Sequence, residues 1–197
     1  MSDLLDAIAP TTIVPSGHYG ITETGVTITI VEAAGMASIA APRDQATPLG
    51  ERCLSGFGIA LPDRPRCAEG PEVAFVGLGP GRWLAISFAI ADLEGRLGDA
   101  LGASAAVCDQ GDAYILFDVG GTRARDALAK GVAIDLDPSS FRPGDAATTS
   151  VALIGVTFWQ LDAAPTFRFA VGRSFAPGFA RFLVISAAEF GCAVARG

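Results

Sequence analysis

The 197 residues carry 21 acids against 14 bases, a net charge of −7, and half of them are apolar. That balance excludes a disordered chain and leaves no basic stripe for nucleic acid. The length fits one domain of good size or two fused subdomains, and the apolar content exceeds what a self-sufficient monomer needs.

Residues 1–20 read as an extended or loosely ordered arm, broken by Pro10, Pro15 and Gly17. The alternation Val26, Ile28, Ile30 marks a strand with Thr27 and Thr29 on its other face. Residues 36–40 suit a second strand, 42–50 a loop or short helix, 56–61 a short apolar run, and 63–71 a surface loop. Residues 72–77 and 83–88 read as strands joined by Gly79-Pro80-Gly81. Ile90, Leu93, Leu97 and Leu101 then step at helical spacing until Gly102.

Residues 105–109 and 113–119 read as a second strand pair around the turn Asp109-Gln110-Gly111-Asp112. A helix over 122–130 follows. Thr122 is its expected cap, Ala124, Ala127 and Leu128 its apolar stripe, Asp126–Lys130 an ion pair, and Gly131 a left-handed stop. Residues 148–153, 156–161 and 166–171 read as three strands, with turns at Gly155 and at Ala163-Ala164-Pro165. Ser174 is positioned to cap a last helix that tolerates Pro177 in its first turn and presents Phe175, Phe179, Phe182 and Leu183 on one face. From residue 72 the order is β-β-α-β-β-α-β-β-β-α. This is an α+β plan of doubled β-β-α units, with a mainly antiparallel sheet and helices packed on it. Residues 21–197 thus read as a single α+β domain, or as two intertwined subdomains.

The chemistry-bearing motifs are sparse. Gly77-Leu78-Gly79-Pro80-Gly81 lacks the third glycine of a dinucleotide fingerprint and leads into a strand, so it reads as a hairpin. No Gly-Lys-Ser/Thr phosphate loop occurs, and no serine sits in a G-x-S-x-G elbow. Cys53, Cys67, Cys108 and Cys192 show no C-x-x-C spacing, and His18 is the sole imidazole, which argues against a zinc site. Cys108 reads as a small core residue. The carboxylate pairs Asp92/Glu94, Asp109/Asp112 and Asp135/Asp137 read as turn caps and solvated faces. The chain shows no membrane span and no basic start leading into an apolar signal core, so a cytoplasmic protein with reduced thiols is expected.

Trp83, Trp159, Phe158, Phe167 and Phe169 stand out. Phe158 and Trp159 are adjacent in a strand and point to opposite sheet faces. Two readings stay open: a second packed face within the domain, or an anchor for a protein partner.

The wording of several segments resembles one family, the gamma subunits of heterotetrameric sarcosine oxidases. The segments are Gly79-Pro80 with Trp83-Leu84, Asp109-Gln110, Arg125 to Gly131 (R-D-A-L-A-K-G), and Asp135-Leu136 with Pro138 and Phe141. Pro143-Gly144, Thr166-Phe167-Arg168 and Arg173-Ser174-Phe175 follow. The sequence departs at Gly81, where an acidic residue is common, and at Gly111, where serine is common.

The resemblance implies a complex of four different subunits that oxidatively demethylates sarcosine to glycine. It implies FAD, FMN and NAD for the whole complex and none for this chain, with tetrahydrofolate taking the one-carbon unit. It also implies the folate-binding fold of glycine-cleavage aminomethyltransferases. On this reading the chain is a non-catalytic subunit that packs against the larger, flavin-bearing subunits. The alternative is a small-ligand, folate-type binding module. Candidate interface or pocket residues are Trp83, Asp109, Gln110, Phe158, Trp159 and Arg173. The interface reading expects Phe158 or Trp159 to be exposed in the isolated chain. The pocket reading expects polar groups to converge near Asp109, Gln110 and Arg173.

Overall fold

The computed structural model describes residues 13–33, 35–42 and 45–197; most of the expected N-terminal arm lies outside these residues. The described chain divides into two compact units made of interleaved segments. Unit 1 takes residues 13–31, 114–143 and 148–197, and unit 2 takes the rest, including the short insertion 144–147.

Unit 2 is built on an antiparallel sheet in the order β4 (Cys67–Glu69), β5 (Ala74–Gly79), β6 (Arg82–Ser87), β3 (Gly35–Ala40), β7 (Ala106–Asp109). Two helices, α1 (Ala46–Phe57) and α2 (Leu93–Leu101), belong to the same unit. Leu93, Leu97 and Leu101 recur every fourth residue and are buried. They pack with Leu49 and Cys53 of α1 and with Ile39, Phe75 and Trp83 of the sheet. Asp92 caps α2 by accepting from Gly95 N–H at 2.9 Å. α1 stops at Gly58, whose left-handed φ of 69° lets its N–H donate to Leu54 O at 2.9 Å.

Unit 1 carries a sheet in the order β1 (Gly17–Tyr19), β12 (Cys192–Arg196), β2 (Val26–Val31), β8 (Tyr114–Gly120), β11 (Thr166–Gly172), β10 (Ile154–Asp162), β9 (Ala146–Val151); the first two residues of β9 belong to the insertion. β12 runs parallel to β2, whereas β1–β12, β2–β8, β8–β11 and β10–β11 are antiparallel. The helices are α3 (Ala124–Leu128) and α4 (Ala176–Ala187). The α4 residues Ala176, Phe179, Ala180, Leu183, Val184 and Ala187 repeat at i, i+3, i+4 and are buried. Phe179 contacts Phe117 and Phe169 of the sheet edge-on or tilted, each with ring centres 5.3 Å apart.

The mainly antiparallel α+β plan holds, but several local expectations do not. Residues 106–109 and 114–120 are strands without being a hairpin. β7 joins β3 in unit 2, while β8 lies between β2 and β11 in unit 1. Their burial explains the separation. β7 is mostly exposed and suits an edge, whereas β8 is largely buried and requires neighbours on both sides.

α1 extends through the segment read as a loop and an apolar run, and β4 interrupts the expected surface loop. The last strand, β12, was not anticipated, and it gives the expected arm a partner: Tyr19 pairs with Cys192 and is buried. The turn expected at Gly155 lies at Ala152 and Leu153, both in the left-handed region.

α3 spans only five residues, with Arg123 rather than Thr122 at its start. Asp126 pairs with Arg123 at 2.6 Å, and Lys130 pairs instead with Glu189. Gly131 is not left-handed. It is small because a Cβ there would stand 2.4 Å from the Phe182 ring. Ser174 does not cap α4; a 3-10 turn over Arg173–Phe175 leads into that helix.

Candidate functional site

The segment that carries the specific family wording folds back on itself in unit 1. Arg125 Nε donates to Leu136 O at 2.7 Å, and the Asp135 carboxylate accepts from Asp137 N–H at 2.9 Å. Asp137 accepts from both the Ser139 hydroxyl (2.6 Å) and the Ser139 N–H (2.8 Å). Those two bonds, hydroxyl first, together with the Arg125 charge, hold the Asp137 carboxyl below its ordinary range. Ser140 and Phe141 N–H close the turn on Asp137 O. The result aims Phe141 inward. Its ring stacks on Phe158 with centres 5.2 Å apart, and Phe158 stacks on Phe169 at 5.0 Å. Arg125 lies over Phe167, 5.6 Å from its centroid. The acidic pair Asp135/Asp137 therefore builds a turn, as its spacing suggests.

The single lysine is also committed to packing. Lys130 Nζ donates to Ser186 O at 2.5 Å, pairs with Glu189, and sits over the Phe190 ring. Arg123 covers that ring as well, 4.4 Å from its centroid.

The candidate residues fall in both units. In unit 2, Trp83 is buried and its indole N–H donates to Pro62 O at 2.8 Å. Asp109 accepts from Gly111 N–H at 3.1 Å. Gln110 donates from its side chain to Ser38 Oγ at 3.2 Å and from its backbone to Met36 O at 2.9 Å. These contacts shape the turn after β7. In unit 1, Arg173 is exposed at the start of the 3-10 turn. Phe158 and Trp159 are fully buried. The expectation that one of them is exposed is wrong: Phe158 is 0% exposed and stacks on Phe141 and Phe169, and Trp159 is 1% exposed.

The row through Trp159 was missed by sequence reasoning. Strand register aligns Thr29, Asp118, Arg168 and Trp159 across β2, β8, β11 and β10. Arg168 Nε and Nη2 donate to the two Asp118 carboxylate oxygens, each at 2.6 Å. The two side chains are only 16% and 19% exposed. Beside them, the Trp159 indole N–H is buried with no acceptor among the described residues. A signal did exist: one acid and one base of opposite sign interrupt two otherwise apolar strands, Y-I-L-F-D-V-G and T-F-R-F-A-V-G.

Burial raises the Cys53 thiol to about 11 and the Cys192 thiol to about 12, so both stay protonated at neutral pH. Cys108, read as a core residue, is exposed on the edge strand β7. Among the described residues no group of three or more metal-ligating side chains forms, and no helix is long and apolar enough to cross a membrane.

A protein-family model described as the sarcosine oxidase gamma subunit family matches residues 50–189. The fold is similar to a chain of the solved heterotetrameric sarcosine oxidase from Corynebacterium sp. U-96 in complex with pyrrole 2-carboxylate. That likeness has a TM-score of 0.78 and 24% identity, and covers 87% of this chain and 88% of the other. A comparison with curated proteins gave no match.

Proposed function

Because the chain belongs to the sarcosine oxidase gamma subunit family, we propose that it is the non-catalytic gamma subunit of a heterotetrameric sarcosine oxidase. In this role it packs against the larger, flavin-bearing subunits in the cytoplasm. Those subunits hold FAD, FMN and NAD and oxidise sarcosine. The observation that carries the reading is where the family wording goes in space. Arg125, Leu136, Asp137, Phe141 and Lys130 spend their hydrogen bonds and rings on this chain's own fold. Buried, protonated Cys53 and Cys192 are poor nucleophiles. A chain of this kind contributes surface and rigidity.

The test is co-expression with the larger subunits, with and without this chain. Loss of assembly or of sarcosine-dependent peroxide formation on omission supports the reading. Unchanged assembly and activity defeats it.

A second reading, a folate-type ligand module, is favoured by the buried Trp159 N–H beside the Asp118–Arg168 pair. A ligand heteroatom accepting from that N–H would satisfy it. Titration of the isolated chain with a reduced folate, followed by tryptophan fluorescence, decides it. Saturable quenching that Trp159→Phe abolishes supports the module, and no change rejects it.

A further inference from the structure

We infer that the outer stripe of α4, with Leu153 on its flank, is the surface that docks against a larger subunit of the complex; this rests on the gamma-subunit reading above. α4 has twelve residues and one charge, Arg181. A helix on the outside of a self-sufficient domain carries charged and polar residues on its solvent face. Here that face includes Gly178, Arg181, Phe182 and Ile185 and is continued by Phe175 from the preceding turn; Arg181 is its one charge, and Phe175, Gly178, Phe182 and Ile185 are spaced three, four and three residues apart. Such spacing lines one seam along a helix. Phe175 is 57% exposed and Ile185 58% exposed.

The β9–β10 turn stands beside this stripe. Ile154 Cδ1 would lie 3.6 Å from a Cβ on Gly178, and Ala152 N–H reaches Gly131 O, next to Phe182. The turn holds two non-glycine residues in the left-handed region, Ala152 at φ 48° and Leu153 at φ 69°, where hairpins favour Asn-Gly. It presents Leu153 at 98% exposure. Three of the six exposed large apolar residues among the described residues therefore gather here, whereas Ile21, Leu54 and Phe88 lie elsewhere in the sequence. Exposed Arg173 flanks the stripe at one end and the Lys130–Glu189 pair at the other, so that apart from Arg181 the charges lie at its rim. The occupant is an apolar, charge-poor face of one larger subunit. A second copy of this chain is not the occupant, because the proposed complex has four different subunits.

The full-length variants Phe175→Asp, Ile185→Asp and Leu153→Asp are co-expressed with the larger subunits, and Leu54→Asp on α1 serves as an exposed control. Circular dichroism and the unfolding midpoint of each isolated chain establish that it folds. The expected result is that the stripe variants fold as wild type yet bind the larger subunits at least about tenfold more weakly, the effect of removing one buried anchor. Leu54→Asp assembles normally. Folded stripe variants that co-purify as wild type overturn the inference and leave the gamma-subunit reading intact. A wild-type chain that never co-purifies defeats that reading first. A wild-type dimer that the stripe variants split, with assembly unaffected, also overturns the inference, because the occupant is then a second copy.

Discussion

Replacing Arg168 by methionine leaves Asp118 buried without its bidentate partner. Both side chains are less than one-fifth exposed, so solvent screens the loss poorly. Breaking a buried pair from one side costs about 3 kcal/mol or somewhat more, because a charge is left in a low-dielectric site. For a chain of this size that corresponds to a fall of about 6–12 °C in melting temperature. Replacing both residues, Asp118→Val with Arg168→Met, removes the charge as well as the bond. The double variant is expected within about 1 kcal/mol of wild type, so the two single changes are strongly non-additive. The assay is urea unfolding of the two single variants and the double variant, followed by far-ultraviolet circular dichroism. Additive single effects, or losses below about 0.5 kcal/mol, would refute the reasoning and make the pair an ordinary surface contact.

Phe141→Ala removes the ring that stacks on Phe158 and should cost about 3–5 kcal/mol, read by the same unfolding assay; an unchanged midpoint would mean that the family-specific loop does not hold the core. Gly131→Ala places a Cβ against the Phe182 ring and should cost about 1 kcal/mol, since the half-buried ring can swing outward. Phe182→Leu should suppress that loss. An Ellman-type thiol titration of the native chain should label exposed Cys108 rapidly and reach Cys53 and Cys192 only in denaturant. The Cys192 value is raised in the fold from 9.0 to about 12. Its contribution to stability is thus complete below about pH 9 and is lost as pH rises towards 12; Cys192→Ala should flatten that alkaline decline.

Local signals made part of this fold legible. The Val26/Ile28/Ile30 alternation gave β2, and the Leu93/Leu97/Leu101 spacing with Gly102 gave α2. Turn chemistry was less informative. Asp109-Gln110-Gly111-Asp112 is a good turn, and Asp109 does accept from Gly111 N–H, yet the strands on either side belong to different sheets. A turn fixes the path of four residues and leaves strand partners open. The partners followed from composition: A-V-C-D is poor in large apolar side chains, whereas Y-I-L-F-D-V-G is rich in them.

β12 was hidden for a different reason. Its partner β2 lies more than 160 residues earlier, and five residues of C-A-V-A-R carry no turn signal that points there. At the candidate site, adjacency in the strand correctly placed Phe158 and Trp159 on opposite faces. It could not tell that both side chains are buried. The Asp118–Arg168 pair needed strand register to be seen, because fifty residues separate its members.

The most direct test of the central claim is reconstitution. The larger subunits are expressed with and without this chain, and the purified material is measured for subunit stoichiometry and sarcosine-dependent peroxide formation. The account predicts a complex that contains this chain in stoichiometric amount and that loses assembly or activity without it. A complex that forms and turns over sarcosine equally well in its absence would contradict the account.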